Sequence, residues 1–230
     1  MEGLVALVGS GEYLPTMRPL EQQLLENRPP RFVQIATAAV PDGEERLAYW
    51  HELGRTQAEA LGVTCVIATV TNRDEANDPQ FADLVRGAGL IYLSGGHPGF
   101  LADVLRDTLL WRNIVAEWHR GTSLAGCSAG AMALCSWVPS LRHPFDSGVR
   151  GLGLFPTLRV IPHFDAFYQR VPSIVDRFIH GKDESVSLIG IDEETAIVGG
   201  PQTWRVEGRG SAWRLDGDRV EFPTGTTLSL

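Results

Sequence analysis

The stretch Leu124-Ala-Gly-Cys-Ser-Ala-Gly-Ala131 runs an apolar segment straight into a Gly-x-Ser-x-Gly core, Gly126–Gly130. The segment Ser123–Gly126 reads as a buried strand, and a helix of about Ala129–Trp137 opens directly after it. A strand that turns this sharply into a helix needs small neighbours, because two backbones approach closely there. The central residue is then presented above the sheet as a nucleophile. Two nucleophilic side chains stand at the turn, Cys127 and Ser128. The register of the flanking glycines puts Ser128 at the apex and Cys127 in the variable position before it.

The same strand-then-helix rhythm fills the first half of the chain. Short apolar runs at Leu4–Val8, Phe32–Ala38, Val63–Val70 and Leu90–Leu93 read as buried strands. Helical patterns lie between them at about Met17–Glu26, Gly43–Leu61 and Pro79–Arg86, with two more expected within Gly99–Arg120. This alternation predicts a three-layer α/β/α sandwich around a mostly parallel, doubly wound sheet. Ligands of open α/β sheets bind at the carboxyl ends of the strands. Three Gly-rich segments fall at such ends, Gly9-Ser-Gly11, Gly95-Gly96 and Gly126–Gly130, so one shared site is expected.

Beyond the elbow helix the register changes. Val138–Gly153 is rich in Pro and Gly and reads as a loop, Thr157–Ile161 as a strand and Ser173–His180 as part of a helix. From Ser187 an antiparallel meander is expected, with strands at Leu188–Ile191, Thr195–Val198, Thr203–Val206, Ala212–Leu215 and Arg219–Phe222. Asp216-Gly217 supplies a hairpin turn. No repeat or linker divides the chain, so residues 1–230 read as one domain whose last thirty or so residues are a β-meander extension.

Composition limits the function. The 230 residues are 43% hydrophobic and 21% charged, enough for a full core and too apolar for disorder. The net charge is −8 with no Lys/Arg cluster, which argues against nucleic acid and anionic membrane as partners. Three cysteines, Cys65, Cys127 and Cys135, are an odd number without metal-ligand spacing, so neither a disulfide framework nor a metal site is expected. No cofactor signature appears either. The N-terminal apolar run lacks a basic leader, and no run approaches the roughly 18 residues of a membrane span. A cytoplasmic location is expected.

A serine hydroxyl needs a base to take its proton. Of six histidines, His51 and His119 lie in helical patterns among polar neighbours and are expected to face solvent. His180 sits at a helix C-terminus, where a cation interacts well with the dipole. His97 follows Gly95-Gly96. His163 stands directly after the strand ending Val160-Ile-Pro162, at the presumed active edge, and is the favoured base, with His143 second. A carboxylate should orient the imidazole, and Asp146, Asp165 and the run Asp192-Glu193-Glu194 are all candidates.

Five segments together resemble the peptidase E and cyanophycinase family of serine peptidases. They are Leu93-Ser-Gly-Gly-His97, Gly126-Cys-Ser-Ala-Gly130, Gly151-Leu-Gly-Leu154, Pro162-His-Phe164 and Gly190-Ile-Asp-Glu-Glu-Thr-Ala196, in the family's order. The resemblance implies a class I glutamine amidotransferase-like fold and hydrolysis of aspartyl bonds, α or isopeptide, in small substrates. It implies Ser128 as nucleophile, His163 as base and Glu193 as the acid, with Asp146 second. The Gly96 and Ala129 backbone N–H groups then form the oxyanion hole. His97 stands where the family often has Asn or Asp, and Cys127 where it often has Thr or Trp. The segment Asp165-Ala-Phe-Tyr-Gln-Arg170 is more aromatic than charged, which argues against cyanophycin as substrate. Arg170 and Arg177 are candidates to pair with a substrate carboxylate. A homodimer is a possible assembly. The alternative readings are amidotransferase-type chemistry at Cys127 and a binding domain that keeps the fold without catalysis.

Overall fold

The computed structural model describes residues 2–139, 148–166, 183–200 and 202–230. Its strands are β1 (Val5–Val8), β2 (Arg31–Ile35), β3 (Thr64–Ile67), β4 (Leu90–Leu93), β5 (Ser123–Cys127), β6 (Trp137–Val138) and β7 (Val149–Arg150). They continue with β8 (Leu158–Ile161), β9 (Ser187–Ile191), β10 (Thr195–Gly199), β11 (Thr203–Gly208), β12 (Ser211–Arg214), β13 (Val220–Pro223) and β14 (Thr227–Ser229). The α-helices are α1 (Arg18–Leu25), α2 (Glu44–Leu61), α3 (Arg73–Asn77), α4 (Pro79–Ala82), α5 (Pro98–Leu105), α6 (Leu109–His119) and α7 (Ala129–Leu134).

The main sheet has the order β14-β11-β10-β1-β5-β4-β2-β3, and the five strands from β1 to β3 in that order are parallel. Its inner strands β1 and β4 are apolar and buried at every position because both faces are covered. On β1, Val5 and Leu7 face the cluster built with α5, α6 and α7, while Ala6 and Val8 face the one built with α1 and α2. The expected three layers follow from that two-sided burial. Among the described residues no helix is long and apolar enough to cross a membrane.

The C-terminal antiparallel strands are present and divide between two sheets. β10, β11 and β14 extend the main sheet past β1. β9, β12 and β13 join β8 in a second, four-stranded sheet, with β8 and β9 parallel. The chain changes sheets at 192–194, so the residues after β9 sit at the seam between the two. This seam is the structural reason a strand-end acid from β9 can reach the edge where β5 ends.

Several boundaries differ from the expectation for local reasons. β2 stops at Ile35 because a 3₁₀ turn takes over at Thr37–Asp42, where the Thr37 hydroxyl donates to the Val70 carbonyl at 2.6 Å. The segment 99–120 holds the two expected helices, which part at Asp107, with φ 62°, and Thr108 caps the second through the Trp111 N–H at 3.3 Å. The elbow helix ends at Leu134, where Cys135 turns extended and Leu152 N–H reaches the Ala133 carbonyl. The described part of the expected loop 138–153 includes β7, paired with β6. The expected helix Ser173–His180 lies outside the described residues.

One histidine is misplaced by the sequence reading. His119 is exposed and bonded to Glu2 at 2.9 Å, as expected. His51 is buried, because α2 turns His51, Gly54, Gln57 and Ala58 toward the sheet rather than toward solvent. Gly54 leaves room there for the side chain of Gln34, and a Cβ at 54 would lie 2.6 Å from its amide carbon. Burial, and after it the charge of Arg55, lowers the His51 pKa.

The same face holds Glu21 of α1, which accepts a hydrogen bond from the Gln57 amide. Burial pushes the Glu21 carboxyl from its ordinary 4.5 up to about 7. The native state therefore holds this proton over a pH range where the unfolded chain has lost it. The resulting stability is complete below pH 4.5 and falls away as pH rises to about 7. Glu21→Gln removes that dependence. Calorimetry should show the variant gaining in melting temperature relative to wild type on moving from pH 5 to 8. An equal difference at both pH values would contradict the assignment.

Candidate active site

Ser128 sits between β5 and α7 with φ 49° and ψ −106°, a strained backbone that aims its side chain up from the sheet edge. The strain is enforced by packing. The Ser128 N–H donates to the Val8 carbonyl at 2.9 Å, and its carbonyl accepts from Met132 N–H at 3.0 Å. Gly130 lets α7 lie directly on the end of β4, where a Cβ would meet the Leu93 carbonyl oxygen at 2.3 Å. The Gly-x-Ser-x-Gly spacing is therefore a steric requirement of this turn.

His163 follows β8 and also has a left-handed backbone, φ 51°. Its Nε2 lies 3.1 Å from Ser128 Oγ, and its Nδ1 lies 2.8 Å from Glu193 Oε1. Ser, His and acid thus come from the ends of β5, β8 and β9. The Phe164 ring fixes the mutual placement of the last two: it lies over Gly190 of β9, where a Cβ would sit 2.5 Å from the ring. Phe164 also packs on Trp213 at 5.8 Å between centroids.

The other acids of this region are committed elsewhere. Asp165 accepts a hydrogen bond from the Glu193 backbone N–H at 3.0 Å, so it supports the segment carrying Glu193. Asp192 points into the second sheet and accepts from Ser211 N–H and Trp213 Nε1–H, both at 2.9 Å. Burial raises its pKa, against the pull of those two bonds. Glu194 pairs with Arg209 at 3.2 Å. Asp146, His143, Arg170 and Arg177 lie outside the described residues.

The Gly95-Gly96 segment flanks the elbow, with a Cβ at Gly95 falling 3.5 Å from Ser128 Cβ. Gly95 N–H donates to Glu12 Oε1 at 2.8 Å, and His97 N–H to the Ala38 carbonyl at 2.7 Å. The amides on both sides of Gly96 are thus committed. Gly96 itself has φ 136°, and a Cβ there would meet the Ala38 carbonyl oxygen at 2.3 Å, so glycine is required. Ala129, the first residue of α7, has an N–H with no acceptor within its own helix. The His97 ring is bonded to Asp42 at 2.6 Å and remains partly exposed. Glu12 and Asp42 were not singled out from sequence. The signal for Glu12 was a charged residue just past a buried strand, beside one of the three Gly-rich ends.

Comparison with known proteins decides the family. The family model for peptidase family S51 matches residues 4–205. The chain belongs to peptidase family S51. It is a serine-type peptidase, a hydrolase. A solved peptidase from an acI-B1 actinobacterium is 40% identical over 100% of this chain and 98% of its own, with a TM-score of 0.92. A putative peptidase E protein from Listeria monocytogenes EGD-e shares the fold at 19% identity, with a TM-score of 0.60 over 98% of this chain and 100% of its own. No curated protein matches.

Within this S51 chain the second nucleophile of the elbow is sequestered. Cys127 is fully buried in the layer beneath the sheet, and its Sγ–H donates to Glu12 Oε2 at 2.8 Å. Burial, then the neighbouring Glu12, raises its pKa well above the ordinary thiol range. Thiolate is the reactive form, so this position is chemically quiet. Native protein treated with iodoacetamide at pH 8 should be alkylated first at the half-buried Cys65, with Cys127 untouched until the chain is unfolded. Peptide mapping that found Cys127 modified as fast as Cys65 would contradict this.

Proposed function

We propose that Ser128, His163 and Glu193 form a catalytic triad that hydrolyses aspartyl bonds in small peptides. The observation that supports it is the continuous chain Ser128 Oγ–His163 Nε2, His163 Nδ1–Glu193 Oε1, at 3.1 and 2.8 Å. These are ordinary lengths for a nucleophile bonded to its base and a base bonded to its orienting acid.

In this reading Ser128 Oγ attacks the scissile carbonyl carbon while His163 Nε2 takes the hydroxyl proton. The Glu193 carboxylate accepts the Nδ1–H hydrogen bond, which keeps the lone pair on Nε2 facing the serine and stabilises the imidazolium that forms. The carbonyl oxygen becomes an oxyanion held by the Gly96 and Ala129 N–H groups, a stabilisation worth about 2.7–4 kcal/mol per donor in comparable sites. The intermediate collapses as His163 returns its proton to the leaving amine. Water, activated in turn by His163, then attacks the acyl-serine and frees the enzyme. His97, adjacent to Gly96 and held by Asp42, is assigned to the acidic side chain of the substrate, along with Arg170 and Arg177.

The burial of Cys127 disfavours the amidotransferase-type alternative. Wild type and Ser128→Ala assayed on a panel of Asp-X dipeptides and isoaspartyl peptides test the assignment. Cleavage within the panel should fall by about 10⁴-fold or more in the variant, as for other triad serines. A variant that keeps full activity on the preferred peptide overturns the triad. A panel on which wild type is inert overturns the substrate class.

A further inference from the structure

Gly9-Ser-Gly11 carries the chain from the end of β1 into the site, and the two residues after it are buried polar groups aimed beneath the nucleophile. Glu12 and Tyr13 are 8% and 7% exposed. The Glu12 carboxyl group bridges two segments: Oε1 accepts from Gly95 N–H and Oε2 from Cys127 Sγ–H, each at 2.8 Å. Gly95 is the residue before Gly96, and Cys127 is the residue before Ser128. One carboxyl group therefore ties together the backbone positions that precede the proposed oxyanion donor and the proposed nucleophile.

Tyr13 holds the neighbouring point of the same loop. Its hydroxyl is 2.6 Å from Ser94 Oγ and accepts from Gln34 Nε2–H at 3.0 Å, and that amide also donates to the Trp50 carbonyl at 2.7 Å. Tyr13 adopts φ 67°, an uncommon conformation for a bulky residue. That backbone lets two consecutive side chains, Glu12 and Tyr13, both turn inward, onto Gly95 and Ser94. Space-filling alone would be served by an apolar pair. A buried carboxyl is costly unless its bonds are made, and here they are made to the two segments that carry the chemistry.

We propose that Glu12 and Tyr13 are positioning residues that clamp the Ser94–Gly96 loop against the Cys127–Ser128 elbow. The clamp sets the gap between the Gly96 N–H and Ser128 Oγ, and so the quality of the oxyanion hole. It rests on the reading of Ser128 as nucleophile and Gly96 as donor.

The test is the rate at which a fluorophosphonate, whose phosphonyl oxygen occupies the oxyanion site, labels Ser128 in the full chain. Glu12→Ala should slow labelling about 10–100-fold at saturating pH, in line with weakening one oxyanion donor. The midpoint of its pH profile should stay in place, since the His163 base is untouched. Glu12→Gln keeps an acceptor for Gly95 N–H and should recover to within about threefold of wild type, whereas Tyr13→Phe should slow labelling to an intermediate degree. A purely structural role would lower the melting temperature of Glu12→Ala and leave the labelling rate of the folded protein unchanged, which overturns the clamp. If Glu12→Ala does not fold, Tyr13→Phe decides: a wild-type rate overturns the proposal. A wild-type label that maps to a residue other than Ser128 overturns the triad reading, and the clamp with it.

Discussion

Ser128 occupies a backbone conformation, φ 49° and ψ −106°, that costs an ordinary residue about 1–3 kcal/mol, and the surrounding structure leaves it no alternative. Val8 holds its amide, Met132 holds its carbonyl, and Gly130 allows the helix that follows to press on the end of β4. Every later feature of the site depends on that turn being fixed. It places the hydroxyl above the sheet edge, within 3.1 Å of an imidazole delivered by a different sheet. It also brings the elbow against the Gly95-Gly96 loop, where a Cβ at Gly95 would lie 3.5 Å from Ser128 Cβ.

The two-sheet construction explains how the partners arrive. β8 and β9 lie side by side and parallel, so their ends present His163 and Glu193 at one edge. The Phe164 ring, seated over Gly190, locks their separation. The main sheet supplies the serine, the second sheet supplies the proposed base and acid, and the turn at 192–194 connects them. A site assembled across such a seam depends on the packing of Phe164 and Trp213 as much as on the three polar side chains.

Much of this was legible in the amino-acid pattern. The parallel strands show as short apolar runs because both faces of the sheet are covered, and the elbow shows because close backbone contact admits only small residues. Ser128 and His163 could be picked by position at strand ends. The acid could not be picked that way, since Asp165, Asp192, Glu193 and Glu194 all cluster at one turn. Their directions depend on which sheet each segment joins, and the division of the C-terminal strands between two sheets is a long-range pairing with no local signal. Asp192 turns to Ser211 and Trp213, and Glu193 to His163, only because β9 lies between β8 and β12. His51 is expected at the surface because charged residues such as Glu52 and Arg55 share its helix. The buried set at 51, 54, 57 and 58 follows the helical period and carries the better signal. The pair Cys127-Ser128 resolves on burial: one side chain faces the layer below the sheet and the other the open edge.

The central claim is that Glu193 acts through His163 on Ser128, as one relay. A double-mutant cycle on cleavage of the preferred aspartyl peptide measures this directly, using His163→Ala, Glu193→Ala and the combined variant. The account predicts that the combined variant is no slower than His163→Ala alone, because an orienting acid has nothing to orient once the imidazole is gone. Losses that multiply in the combined variant would show that the two residues act independently and would contradict the relay.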